Sequence, residues 1–162
     1  KWSQVENQYQ RRSDLIPNLV NVVKGYASHE RETLESVITA RSKATSTTIN
    51  ANDMDEAALQ RFQQSQDALS SALSRLMVVV EKYPDLKANE QFRDLSSQLE
   101  GTENRIATAR RDFNDAAQQY NTHRNKFPTV IVAGLAGFRE RPYFTAQAGS
   151  EVAPTVDFST EK

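Results

Sequence analysis

The chain has 162 residues, 20 of them Lys or Arg and 21 Asp or Glu, for a formal net charge of −1. That balance supplies no strong field to attract nucleic acid or an anionic membrane surface, so partners are expected to be recognised by shape. Cysteine is absent, which excludes disulfides and thiolate chemistry, and no run of about eighteen apolar residues marks a membrane span in the sequence itself.

The length fits one domain with a real core. Five glycines and five prolines, mostly outside the periodic runs, are the punctuation of an all-α chain. At the start, Trp2, Tyr9, Ile16, Val23 and Val37 keep a seven-residue period, accompanied by Val5, Leu19 and Tyr26. Residues seven apart are two helical turns apart and share a face, so the first forty-eight or so residues are predicted helical. Pro17 is the one serious interruption expected, because an interior proline removes a hydrogen bond and costs about 3 kcal/mol if nothing compensates. The period passes through it without a slip, which predicts a kink or a short break capped by Ser13 or Asp14. Residues 45–53 are loop-like.

A second rod follows from Phe62, Leu69, Leu76 and Tyr83, flanked by Leu73, Val79 and Val80, with Asn52 or Asp53 as the expected cap. It should end at Tyr83, since Pro84 disfavours helix in the residue before it and can open the next segment. The longest rod is marked by Phe92, Leu99, Ile106, Phe113, Tyr120 and Phe127, with Leu95, Ala109 and Ala116 adding a parallel row three residues further on. From about residue 88 to 127 it would measure roughly 60 Å at 1.5 Å per residue. Pro128 stops it. The apolar stretch 130–138 is too short to span a bilayer and is expected to cap one end of a bundle formed by residues 1–138. Residues 139–162, with Pro142, Gly149 and Pro154 and no period, read as an extended or mobile tail.

Metal and catalytic patterns fail on spacing. A carboxylate-bridged dimetal bundle needs Glu three residues before His, but Tyr26 precedes His29 and Tyr120 precedes His123. The His-Glu-x-x-His pattern of zinc proteases fails because Thr33 stands at the second His. Gly134 and Gly137 lack the remainder of a dinucleotide loop and its preceding strand. No catalytic residue, metal or cofactor is therefore expected.

Two polar segments remain. In the first, 11–30, Arg12 lies on the row of Val5, Leu19 and Tyr26, where a guanidinium turned toward a partner helix needs a carboxylate. In the second, 99–110, Thr102 occupies a seam position, and Gly101 costs about 1 kcal/mol against Ala in a helix interior. Close approach of another backbone near Gly25 would explain Gly101. An interhelical network is expected in which Arg12 or Arg41 faces Glu100 or Glu103 and fixes register. The candidate residues for this network or for an interaction face are Arg11, Arg12, Asp14, Asn18, Lys24, His29, Glu30, Arg41, Glu100, Glu103, Arg105 and Arg110.

These segments carry a resemblance. Arg11-Arg12-x-Asp14-Leu-Ile-Pro-Asn-Leu-Val-x-x-Val23-Lys-Gly-Tyr-Ala-x-His29-Glu30, Tyr83-Pro-Asp-Leu-Lys-Ala-Asn89, Leu99-Glu-Gly-Thr-Glu-Asn-Arg-Ile106, Ala109-Arg110 and Phe113-Asn114 are similar to the LemA family of bacterial proteins. The similarity runs up to Phe144, and Phe113 stands where the family often has Tyr. It implies an antiparallel four-helix bundle on an N-terminal membrane anchor, with no established enzymatic activity.

The preferred expectation is the soluble part of a scaffold or interaction protein in the bacterial cell envelope, periplasmic or cytoplasmic, whose 11–30 face or 134–138 cap binds another membrane-associated protein. A homo-oligomer stays open. The alternative is a sensor for a small anionic ligand held by Arg11, Arg12, Lys24 and Arg105. The sequence opens in helical phase with no cap before Trp2, so the native protein is expected to continue upstream into an apolar segment or a lipidated cysteine.

Overall fold

The computed structural model describes residues 1–50, 54–125 and 141–144, with Arg124 and Asn125 as backbone only. Among them are five helices, α1 Trp2–Tyr26, α2 Arg31–Ser46, α3 Glu56–Val80, α4 Pro84–Ala88 and α5 Glu90–Asn125, and no strand. Phe127, Asn52, Asp53, the apolar stretch 130–138 and the tail after Phe144 lie outside the described residues.

Side-chain contacts set the helix directions. Tyr9 of α1 packs on Phe62 of α3, and Glu30 after α1 meets Tyr83 after α3, so these helices run the same way. Trp2 at the start of α1 meets Phe113 late in α5, and Tyr26 at its end meets Asn89 before α5. The two are antiparallel. Arg41 of α2 reaches back to Ser13 of α1, so α2 returns along α1. The four long helices thus alternate in direction, α1 packing on α5 and α2, and α2 on α3.

Helix α1 runs unbroken through Pro17, and the interruption falls at residues 27–30 instead. Pro17 lacks the N–H that would bond the Ser13 carbonyl four residues back. Arg41 supplies the missing donor, its Nε donating to Ser13 O at 2.8 Å. The true break has its own causes. Gly25 and Ser28 are poor helix formers, and Ala27 leaves the helix at φ −133°, ψ 47° while fully buried in the core. A break of this length is invisible to a seven-residue ladder, because Val23 and Val37 are two periods apart and the skipped rung is Glu30.

The other boundaries are local chemistry. Asp55, not Asn52 or Asp53, caps α3, its Oδ1 accepting from Ala58 N at 2.7 Å. Helix α3 ends at Val80 rather than Tyr83, and a turn at 81–83 delivers Pro84 to the first position of α4, where its missing N–H costs nothing. Asn89 then caps α5, accepting from Phe92 N at 2.9 Å. With 36 residues, α5 is about 54 Å long at 1.5 Å per residue.

Along α5 the buried seam steps 92, 95, 99, 102, 106, 109, 113 and then 117 and 121. Ala117, not Ala116, is the fully buried alanine, since a straight helix drifts off a strict seven-residue repeat. The core divides into two apolar clusters. One holds Ile16, Leu19, Val23, Val37, Leu69, Leu73, Leu76, Leu86 and Leu99 among others. The second is rich in aromatics and contains Trp2, Val5, Tyr9, Phe62, Ile106, Phe113 and Phe144.

Gly101 and Gly25 do not meet. A Cβ added to either glycine would find nothing within 4 Å, so the expected close backbone approach is absent.

Candidate functional site

Between the two apolar clusters lies a polar layer. Each long helix places a polar residue within its apolar row: Arg12 among 5, 9, 16 and 19, Arg41 among 34, 37 and 44, Gln66 among 62, 69 and 73, and Thr102 among 95, 99, 106 and 109. Arg12 is 1% exposed and Glu103 is 4% exposed, which makes a guanidinium without its carboxylate untenable there. The Arg12 guanidinium donates to Glu103 Oε1 at 2.9 Å, Ser70 Oγ at 2.6 Å, and both Gln66 O and Gln66 Oε1 at 2.9 Å. Its face lies 5.2 Å from the centre of the Tyr9 ring. Arginine suits this place because its planar fork serves acceptors on two helices at once.

The layer extends to either side. Beside Arg12, Ser13 is buried and its carbonyl takes the Arg41 bond. Arg110 stands 3.8 Å from Asp67, with its guanidinium 4.8 Å above the Phe144 ring. Burial raises the Tyr9 phenol above its ordinary 10, against the opposing pull of Arg110 and Arg12. At the far end of the bundle, Tyr83 donates to Glu30 Oε1 at 3.1 Å. Loss of hydration, that bond and the carboxylate's charge raise this phenol too.

The sequence-derived candidates separate into three groups. Arg12 and Glu103 meet in the core; Arg41, Glu30 and Arg110 are half-buried, each engaged locally. Arg11, Asp14, Asn18, Lys24, His29, Glu100 and Arg105 are exposed. Arg41 therefore does not face Glu100 or Glu103, since its Nε is committed to the carbonyl that Pro17 leaves without a donor. Glu100 is turned to solvent one turn from Glu103 and is not the partner of Arg12. The four cations of the anion-sensor reading are not gathered either: Arg12 points into the core, Arg11 points out, and Lys24 is about 18 Å further along α1 at 1.5 Å per residue.

Sequence reading missed Gln66, Ser70 and the 121–141 pairing. Gln66 was findable, as the polar member of an otherwise apolar row on α3. Among the described residues no group of three His, Asp or Glu side chains is placed to hold a metal, and no helix is long and apolar enough to cross a membrane.

A family model described as the LemA family matches residues 1–158. The chain belongs to the LemA family. Its similarity to a magnetosome protein, MamQ 2 of Paramagnetospirillum magneticum, is 28% identity over 162 aligned residues, covering 89% of this chain and 59% of the relative. MamQ of Magnetospirillum gryphiswaldense is 26% identical over the same shares. Protein LemA of Metamycoplasma hominis is 27% identical over 131 residues, covering 81% of this chain and 56% of that protein. The chain thus spans less than two thirds of the length of these curated relatives. Within this LemA-family chain the matched region includes the whole polar layer and the helices that build it.

Proposed function

We propose that this chain is the helical part of a non-catalytic interaction protein held at a bacterial membrane, and that the outward face of α1 is its contact surface. One observation carries the reading. Asn7, Arg11, Asp14, Asn18, Asn21 and Gly25 follow one another at four- and three-residue steps and are all exposed, so they form one continuous stripe down α1. Behind it, Arg12 and Arg41 fasten α1 to α2, α3 and α5. A stripe of amides with one cation and one carboxylate on a stiff rod offers hydrogen bonds at fixed spacing to a partner, with little apolar area to drive non-specific association.

The membrane part of the proposal draws on the family and on the greater length of the relatives. The name magnetosome protein, borne by three of them, is in keeping with a structural role in a larger assembly.

The test is site-specific photocrosslinking of the full-length protein in its native membrane, with the photoreactive residue at Arg11, Asn18 or Asn21 and controls at the exposed Gln64 and Ser71 of α3. Adducts with a membrane-associated protein from the α1 positions alone are expected. Absence of adducts from α1, or the same adducts from the controls, would overturn the assignment.

A further inference from the structure

Beyond Phe113 the seam of α5 receives residues 141–144 of the same chain. Asn121, only 7% exposed, commits its whole side-chain amide to them: Nδ2 donates to Arg141 O and to the Tyr143 hydroxyl, each at 3.0 Å, and Oδ1 accepts from Arg141 N at 2.8 Å. The amide therefore pairs with both backbone groups of one residue, as a neighbouring strand would. Two turns earlier, Asn114 Oδ1 accepts from Phe144 N at 3.0 Å. Asn114 and Asn121 are about 10.5 Å apart along the helix, a distance that the three steps from 141 to 144 cover only when nearly extended.

At the end of this run the Phe144 ring enters an aromatic box. It lies 6.3 Å from Trp2, stacked, and 5.6 Å from Phe113, edge-on, with the Arg110 guanidinium 4.8 Å above it. Arg141 covers the Tyr120 ring at 5.6 Å. The arrangement has the two parts of a peptide-reading site: backbone clamps that accept any extended chain, and a deep pocket that demands one side chain.

We infer that the α5 face from Arg110 to Asn121, closed by Trp2, is a recognition groove for an extended segment ending in phenylalanine. Its occupant is residues 141–144 of this chain, a strap that is seated by the Phe144 ring and that leaves and rebinds as a unit. The groove is separate from the α1 stripe and stands or falls without it.

The single tryptophan reports on it directly. In the full chain, Phe144→Asp should expel the segment, shifting Trp2 emission to the red and raising its acrylamide quenching, with the far-UV helix signal retained. Should that variant lose helix, Phe144→Ala, which only empties the box, serves in its place. Adding the peptide Arg-Glu-Arg-Pro-Tyr-Phe-Thr-Ala, the sequence of residues 139–146, should restore the blue-shifted emission. A peptide with Ala for the Phe should bind about 10- to 100-fold more weakly, as burial of one Phe side chain requires. Introducing Asn114→Ala and Asn121→Ala should abolish the restoration. The groove is ruled out if Trp2 emission does not respond to Phe144 substitution, if the peptide fails to restore it at millimolar concentration, or if the Ala peptide restores it equally.

Discussion

Arg12 shows how one side chain can be both a cost and a constraint. Its guanidinium has left water, and the attraction of Glu103 with the bonds to Gln66 and Ser70 offsets that desolvation without guaranteeing a net gain. Removing one partner is another matter. Arg12→Ala leaves Glu103 buried and unpaired and should destabilise by about 3–5 kcal/mol in urea unfolding, whereas Arg12→Leu with Glu103→Leu should recover most of that loss. Equal losses for the single and double variants would refute the pairing.

Arg41 and Pro17 offer a second test at this scale. If Arg41 replaces the donor that Pro17 lacks, Arg41→Ala should cost about 1 kcal/mol less in a Pro17→Ala background, where the restored N–H reaches Ser13 O. Additive losses in the double-mutant cycle would mean the two sites are independent. Tyr9 and Tyr83 set the alkaline limit. Both phenols are raised in the fold above their ordinary 10, so the native state holds protons that the unfolded chain releases. Their contribution is complete below pH about 10 and is lost as pH rises through the folded values. A pH series of unfolding midpoints should show this fall above pH about 10, and Tyr9→Phe should make it shallower.

At the scale of elements, Gly101 is a helix-interior glycine with open space where a Cβ would stand. Gly101→Ala should therefore stabilise the protein by about 1 kcal/mol, read as a raised thermal midpoint; a lower midpoint would reveal a backbone contact there. The rods were legible because apolar residues recur at seven over three or more turns, as from Phe92 to Phe113. Their ends were less so. The break at 27–30 hides between two rungs of the ladder, and its strongest mark, the missing apolar residue at Glu30, is a weaker helix-breaking signal than Pro17. Pro17 itself is accommodated by Arg41, a contact 28 residues distant that no local rule anticipates. The same holds for Asn114 and Asn121, whose role depends on residues 141–144 folding back across 20 or more positions. Arg12 was legible as a buried cation on its seam, but the choice of Glu103 over Glu100 turned on which of these two acids, three residues apart, faces inward.

For the whole molecule, the account rests on the polar layer fixing the register of four helices, so that the α1 stripe and the α5 groove are presented at set positions on one rod. Polar residues within apolar seams are best attested as register devices, and here all four long helices contribute to the layer. The most direct measurement replaces the layer: Arg12→Leu, Gln66→Leu and Glu103→Leu together, followed by amide NMR spectra and light scattering beside the native chain. The account predicts an unfolding midpoint at or above the native value, with loss of the single set of dispersed peaks or a mixture of species by light scattering. A variant with one sharp set of peaks, Trp2 emission like the native protein and an unchanged mass would show that the apolar seams set the register unaided, and would contradict it.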